Sequence, residues 1–590
     1  MSGSSRRRRT TATGTVTLLA AIALLASGCV GIPDEGPVVE AESDVRPGEQ
    51  LGYFNDPPGP APNESATDIV RHFLDAQAAF PLQTNTAKEF LTSEEATTWR
   101  PERRIITYDA ASFPQGSNQV TVELDGANQL DSRGSWRGPL PADQTELSFS
   151  MTRVDGQWRI SDAPDALIVP STWFDRAFRR VSLYFTDPTA SILVPEPVYV
   201  PRGDSLASVL VDGLLAGPVV GAPGVERSFL PPGLEVDLSV TVSERGIAEV
   251  PLIGGAAAMP TDEDANLMVA QLARTLAQDS TLTGFRVTID SEPVTLSDGD
   301  TEFEMDEGES LDPAGSRATS LLFGLRDGRL VSGTADAFEP VSGPMGQSEV
   351  GVRSVGVSLD GTRVAGVLTS GDAVQVTDVR TDDAEVVQVA SGATDLAPPV
   401  WDAADRLWLL DRARGVAQIS AVVGENARTI EVPGISGERV AHLLVSRDGS
   451  RMVAVVRGGL RGRDRVVVSR LQYDPSGRPL GGTSAREIAW EDQGRLSVVD
   501  VGWSSPTSVV VAHRLGGNLF QVRTLAVDGA PVGLAGVAVT LSQRPRMLVT
   551  SPRATDPLYV LTSSGLSEVV GGLRSGEIDE RTTFLTYAGG

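Results

Sequence analysis

Between Glu64 and Pro170 the spacing of apolar residues changes once. Ile69, Val70, Phe73 and Ala76 follow helical spacing, with Phe80 beyond them and polar Gln77 as the exception on the stripe. A second short helix follows. After Lys88-Glu89-Phe90-Leu91 the period drops to two, in Val120-Thr121-Val122-Glu123-Leu124, in Leu147 to Met151, and in a closing Gln157-Trp158-Arg159-Ile160. Helices first and antiparallel strands afterwards predict an α+β domain over 64–170.

The stretch 178–296 alternates elements instead of segregating them. It opens on the strand Val181 to Phe185 and the extended Pro197 to Pro201. A helix capped by Asp204 then carries Leu206, Val209, Leu210 and Leu214 and stops at Gly217-Pro218. Two half-buried strands follow, one through Leu234, Val236, Leu238, Val240 and Val242, the other through Ile247 to Leu252. A second helix on Leu267, Met268, Leu272 and Leu276 leads to a last strand on Phe285, Val287 and Ile289, giving an α/β domain.

From 316 to 590 short apolar runs are separated by turn dipeptides, and they repeat. Val357-Ser358-Leu359-Asp360-Gly361-Thr362-Arg363-Val364-Ala365 matches Val445-Ser446-Arg447-Asp448-Gly449-Ser450-Arg451-Met452-Val453. Asp448 lies twice 44 residues after Asp360, and Val400-Trp401 to Trp408 fills the intermediate register. A period near 44 in an all-β region is that of four-stranded propeller blades, which bury both faces only by packing around an axis. The length predicts about six blades, with five or seven also compatible. The strand Thr583 to Tyr587 is placed to complete the first blade.

Composition adds the ends of the chain and its chemistry. Arg6 to Arg9, an apolar run from Val16 to Ala26 and Ser27-Gly28-Cys29 form a secretory signal over 1–28, too short in its apolar part for the ~20 residues of a membrane-crossing helix. The sequence around Cys29 resembles a bacterial lipobox, with Ala26 where Leu is usual. Cys29 is the single cysteine in the chain, so no internal disulfide exists and lipidation is the chemistry left to it. Residues 29–63 are rich in Pro, Gly, Asp and Glu and are expected to be a flexible tether. The formal net charge is −27, and −31 once the four arginines Arg6 to Arg9 are removed, which argues against nucleic acid as partner.

Candidate catalytic chemistry is sparse. The acidic run Asp298, Asp300, Glu302, Glu304, Asp306, Glu307 and Glu309 lacks the glycine an EF-hand loop needs at its sixth position, occupied here by Phe303. Residues 297–315 are therefore expected to be a solvated acidic linker without metal. His442 and His513 sit in non-equivalent contexts and are expected to be packing or surface residues. No His-Glu-x-x-His, Gly-x-Ser-x-Gly or phosphate-binding loop is present, so no catalytic residue, cofactor or metal ligand is expected, and the chain is not expected to be an enzyme.

Several motifs carry resemblances. Gly-Gln-Trp-Arg-Ile looks like the closing strand of the cone-shaped folds similar to nuclear transport factor 2 (NTF2-like). Leu183-Tyr184-Phe185, Leu214-Leu215-Ala216-Gly217-Pro218, Leu230-Pro231-Pro232-Gly233 and Thr288-Ile289-Asp290 resemble the GerMN domain. The order of signal, lipobox, GerMN-like domain and propeller resembles the LpqB family of actinobacterial lipoproteins. That resemblance implies an N-palmitoyl, S-diacylglycerol cysteine at Cys29 and a lipid anchor on the extracytoplasmic face of the cell membrane. It further implies a partnership with the extracytoplasmic domain of the sensor histidine kinase MtrB, of the MtrA-MtrB two-component system, in cell-envelope homeostasis. A lipoprotein that binds wall glycan or a small solute is the alternative, and an envelope hydrolase is the least supported reading.

Overall fold

The computed structural model describes residues 55–589, apart from 204–205, 219–223, 255–258, 314, 316–317, 425, 459–461, 489–496, 533–535, 554, 571–574 and 577–580. Cys29 and the expected signal and most of the expected tether lie outside the described residues, as does Asp204. Among the described residues no helix is long and apolar enough to cross a membrane.

The first domain begins with the helix Ala66–Gln77, whose Ser65 side chain accepts a hydrogen bond from the Asp68 N–H. Its apolar stripe packs on a four-stranded antiparallel sheet that includes Gln119–Asp125, Glu146–Val154 and Gln157–Asp162. A second four-stranded sheet adds Arg104–Tyr108, Asn128–Asp131, Trp136–Pro139 and Leu167–Pro170. Gln77, the polar exception on the stripe, is buried with its Nε2 without a partner and its Oε1 accepting the Ile168 N–H at 2.7 Å. Gln77→Leu strands that donor in the core. Urea denaturation is expected to show a loss of about 1–3 kcal/mol. Residues 55–63 are not free tether: Asn55 and Phe80 exchange both backbone hydrogen bonds, and the Asn63 N–H donates to Gln157 Oε1. Pro and Gly content predicted looseness there, but these backbone groups found partners on the domain.

In the second domain a hairpin of Phe178–Thr186 and Leu193–Pro201 packs one face on the helices Leu206–Leu215 and Asp262–Leu276. Ile247–Ile253 and Gly284–Ile289 run parallel, joined through the helix Asp262–Leu276, a crossover that needs such a helix between parallel strands. The alternation expected through Leu238 breaks. Glu235–Val236 and Thr241–Val242 both pair with Ile247–Ile253, but between them Leu238 has φ 64° and is 97% exposed, inside a tight turn closed by the Ser239 N–H on the Asp237 carbonyl. The acidic stretch 297–315 is not a detached linker either. Phe303–Glu304 pairs with Gly284–Ile289, Phe303 is buried, Glu302 meets Arg286 and Asp312 meets Arg274 at 2.6 Å. Two of its carboxylates, Glu302 and Asp312, are paired in place with arginines of the domain.

The third domain contains, among the described residues, six sheets of at least four strands each. Their first-position strands follow one another in a closed ring, so the sheets are the blades of a six-bladed propeller. Thr582–Tyr587 pairs antiparallel with Leu322–Arg326 and completes the blade that opens the domain. In blades two and four the repeated motif makes the same turn twice. Ser358 Oγ donates to Asp360 and accepts from the Arg363 N–H, as Ser446 Oγ does with Asp448 and the Arg451 N–H, and Gly361 and Gly449 sit at φ 70° and 72°. Buried Trp401 and Trp503 each donate from Nε1 to a carbonyl of the preceding blade, Gly356 and Val445.

Candidate functional site: the three-domain junction

The repeated turn places an arginine at the start of the second strand in three successive blades, and each has a different partner. Arg363 reaches Asp405 of the next blade at 2.6 Å, and Arg406 binds Asp402 of its own turn at 2.7 Å. Arg451, in blade four, turns outward to the second domain and donates to the Pro195 carbonyl and to Glu196 Oε1 at 2.6 Å. Glu196 thus meets it at the free edge of the hairpin, where the Pro195 carbonyl also points, and is buried between Pro195 and Pro197.

Arg470, from the neighbouring strand of blade four, joins the same carboxylate and also reaches Glu226 at 3.1 Å. The result is a buried chain of alternating charge, Arg451–Glu196–Arg470–Glu226, across two domains. Burial acts to raise the Glu196 carboxyl, but the two guanidiniums outweigh it and hold it below the usual carboxylate range. For Glu226, burial and the nearby Glu196 prevail, and its carboxyl is pushed up. Burial and then Arg470 lower Arg451, while Glu196 and Glu226 raise Arg470 against the cost of its burial.

Further contacts tie the first domain into the junction. Trp173, Phe174 and Phe178 form an apolar seam with Leu130, Trp136 and the blade-five residues Ala526 and Ala530. Phe174 stacks on Phe178 at 4.7 Å between centroids. Arg180 bridges to Thr507 and Asp528, and the Tyr199 hydroxyl donates to the Pro531 carbonyl. Where the three domains meet, a cleft of about 330 Å³ opens between Ser135 and Arg137 of the first, Glus 196 and 226 of the second and Arg470 and Arg486 of the third.

The residues singled out in the sequence are mostly elsewhere. His442 Nδ1 lies 3.1 Å from Asp500, and buried His513 lies 3.2 Å from Gln521, so the two imidazoles belong to separate strand contacts. Among the described residues no group of three His, Cys, Asp or Glu side chains is arranged to hold a metal. The junction charges were missed. A cue existed at Glu196, a single charge in the otherwise apolar stretch Ile192 to Val200. Its partners lie 255 and 274 residues away, beyond any local pattern.

Comparison with known proteins follows the same division. The family model for the N-terminal domain of lipoprotein LpqB matches residues 59–175. The model described as sporulation and spore germination matches 182–295, and that for the LpqB β-propeller domain matches 328–573. A protein named Lipoprotein LpqB from Thermobifida fusca is 29% identical over 88% of this chain and 90% of its own length. Its namesake in Streptomyces coelicolor is 28% identical over 92% and 94%, and that in Mycolicibacterium smegmatis 26% over 84% and 86%. With its N-terminal, germination-type and propeller domains each matched in that order, the chain belongs to the LpqB family of lipoproteins.

Proposed function

We propose that this lipoprotein is held on the extracytoplasmic face of the cell membrane by lipid on Cys29 and serves as an accessory or sensing partner of a sensor histidine kinase of the MtrB kind, influencing cell-envelope homeostasis. The likeness to LpqB relatives over most of the chain carries the reading. Two acyl chains anchor stably where one is marginal. Confinement to the membrane layer raises the effective concentration of the protein at a membrane kinase. The first domain, read as an NTF2-like scaffold, and the propeller present protein-binding surfaces, and a junction locked by buried charges lets all three domains act together.

Cys29→Ala is expected to move the protein from the membrane to the soluble fraction with an unchanged melting profile, and to abolish its effect on kinase signalling. Cross-linking in intact cells followed by membrane pull-down is expected to recover a histidine kinase with the wild type only. Normal signalling from the released protein, or recovery of no kinase, rules the reading out. The cleft favours a second reading, a lipoprotein that binds wall glycan or a small solute.

A further inference from the structure

The junction cleft has an excess of positive charge in a chain whose formal net charge is −27. Most of the charges on its walls are matched. Glu196 and Glu226 are taken by Arg451 and Arg470, Arg137 binds Asp131 at 2.6 Å, and Asp528 is held by Arg180. Arg486 is not matched. It lines the cleft from a short, exposed strand of blade four and makes no ion pair among the described residues, with Asp528 and Glu196 acting on it only at longer range.

Two further groups point the same way. Ser135 lines the cleft, is only 8% exposed, and its Oγ has no hydrogen-bond partner. Such a buried hydroxyl costs stability unless something supplies a partner. In the same loop, but behind the cleft wall, Arg133 has Nε and Nη2 buried without a hydrogen-bond partner, its guanidinium lying over the Phe185 ring and within electrostatic range of Asp131, Glu226 and Glu196. An arginine without an ion pair and a buried hydroxyl without a partner, both on the cleft wall, suit an oxyanion. Arginine forks fit phosphoryl oxygens in particular. A volume of about 330 Å³ leaves room for a small organic body beside the anion, at the lower end of ligand pockets.

We infer that the three-domain cleft binds a phosphate group, as orthophosphate or as a small phosphate monoester, with Arg486 and the Ser135 hydroxyl as its direct ligands. The site stands on this geometry and does not depend on the kinase reading. Occupancy adds bonds between residues of the first and third domains, so the ligand tightens the junction.

The test is calorimetric titration of the full chain at fixed ionic strength with orthophosphate, with glycerol 3-phosphate and with acetate. Saturable single-site binding of a phosphate is expected, with acetate at least roughly tenfold weaker. Equal affinity for the two phosphates identifies the free anion as sufficient, and tighter glycerol 3-phosphate identifies a monoester. Arg486→Gln is expected to weaken binding roughly tenfold or more, and Ser135→Ala by a few fold, as expected for losing one charged and one neutral donor. If Arg486→Gln fails to fold, Ser135→Ala decides. The inference falls if neither phosphate saturates by about 10 mM, if acetate binds as tightly, or if folded variants bind as the wild type does.

Discussion

Glu196→Ala is expected to destabilise the protein by about 3–5 kcal/mol, the cost of removing one partner from a buried charge cluster. The variant removes the carboxylate that Arg451 and Arg470 share, leaving Glu226 paired to Arg470 and Asp448 acting on Arg451 at longer range. Hydrogen exchange should locate the damage on both sides of the junction, in Leu193–Pro201 and in the blade-four strands Arg451–Val456 and Arg465–Tyr473. A quadruple variant, Glu196→Leu with Arg451→Met, Arg470→Met and Glu226→Gln, which leaves no member of the cluster charged, is expected to recover most of the loss, since the isolated charge and not the missing bridge is the main penalty. A quadruple variant as unstable as Glu196→Ala contradicts that assignment. The pH dependence has a definite sign. Because the folded Glu196 carboxyl titrates below its unfolded value, its contribution is complete above the ordinary carboxylate range and is lost as the pH falls through the lowered folded value. Glu226, pushed up in the fold, works in the opposite direction, so the acid loss is expected to be larger in Glu226→Gln than in the wild type.

Removing residues 582–590 is expected to unfold the propeller. Thr582–Tyr587 is the first-position strand of blade one, and Leu585, Tyr587 and Ala588 are buried. The large side chains are worth about 1.5–3 kcal/mol each by burial alone, before the strand pairing is counted, against a domain stability of about 5–15 kcal/mol. The Ala588 carbonyl also accepts from Arg447, and the Gly589 N–H donates to Val357, so the deletion opens the ring at its hub. Loss of the cooperative thermal transition and concentration-dependent aggregation are the expected readouts. A truncated chain with an unmoved transition excludes this closure.

How much of this was legible depended on how far apart the interacting residues lie. Helical period exposed Ala66–Gln77 and Asp262–Leu276, because each buries a long stripe of its own residues. The Asp-Gly turns exposed the blade repeat, since the motif folds through bonds within six residues. The four-residue strands Asn128–Asp131, Trp136–Pro139 and Leu167–Pro170 were illegible because so few residues cannot establish an alternation. At Leu238 the alternation was present but misleading: it runs through a turn that points the side chain into solvent. Most carboxylates of the acidic stretch 297–315 are exposed, as expected, but its anchoring was hidden because the strand that Phe303–Glu304 pairs with and the arginines that meet Glu302 and Asp312 lie on earlier elements. The junction was invisible for the same reason on a larger scale. Arg451 occupies the same place in its repeat as Arg363, and nothing local to it says that its partner is a glutamate in another domain.

The distance between Glu196 and its partners also has a meaning in time. The hairpin strand Leu193–Pro201 is synthesised well before Arg451, 255 residues later, and its residues are almost all buried in the finished fold. Until blade four exists, this part of the strand's free edge is open to other chains. A charge at its centre flanked by Pro195 and Pro197, which have no N–H to donate, makes it a poor template for intermolecular pairing. Glu196 therefore acts twice, first as a gatekeeper against aggregation of the incomplete chain and then, once its arginines arrive, as the lock.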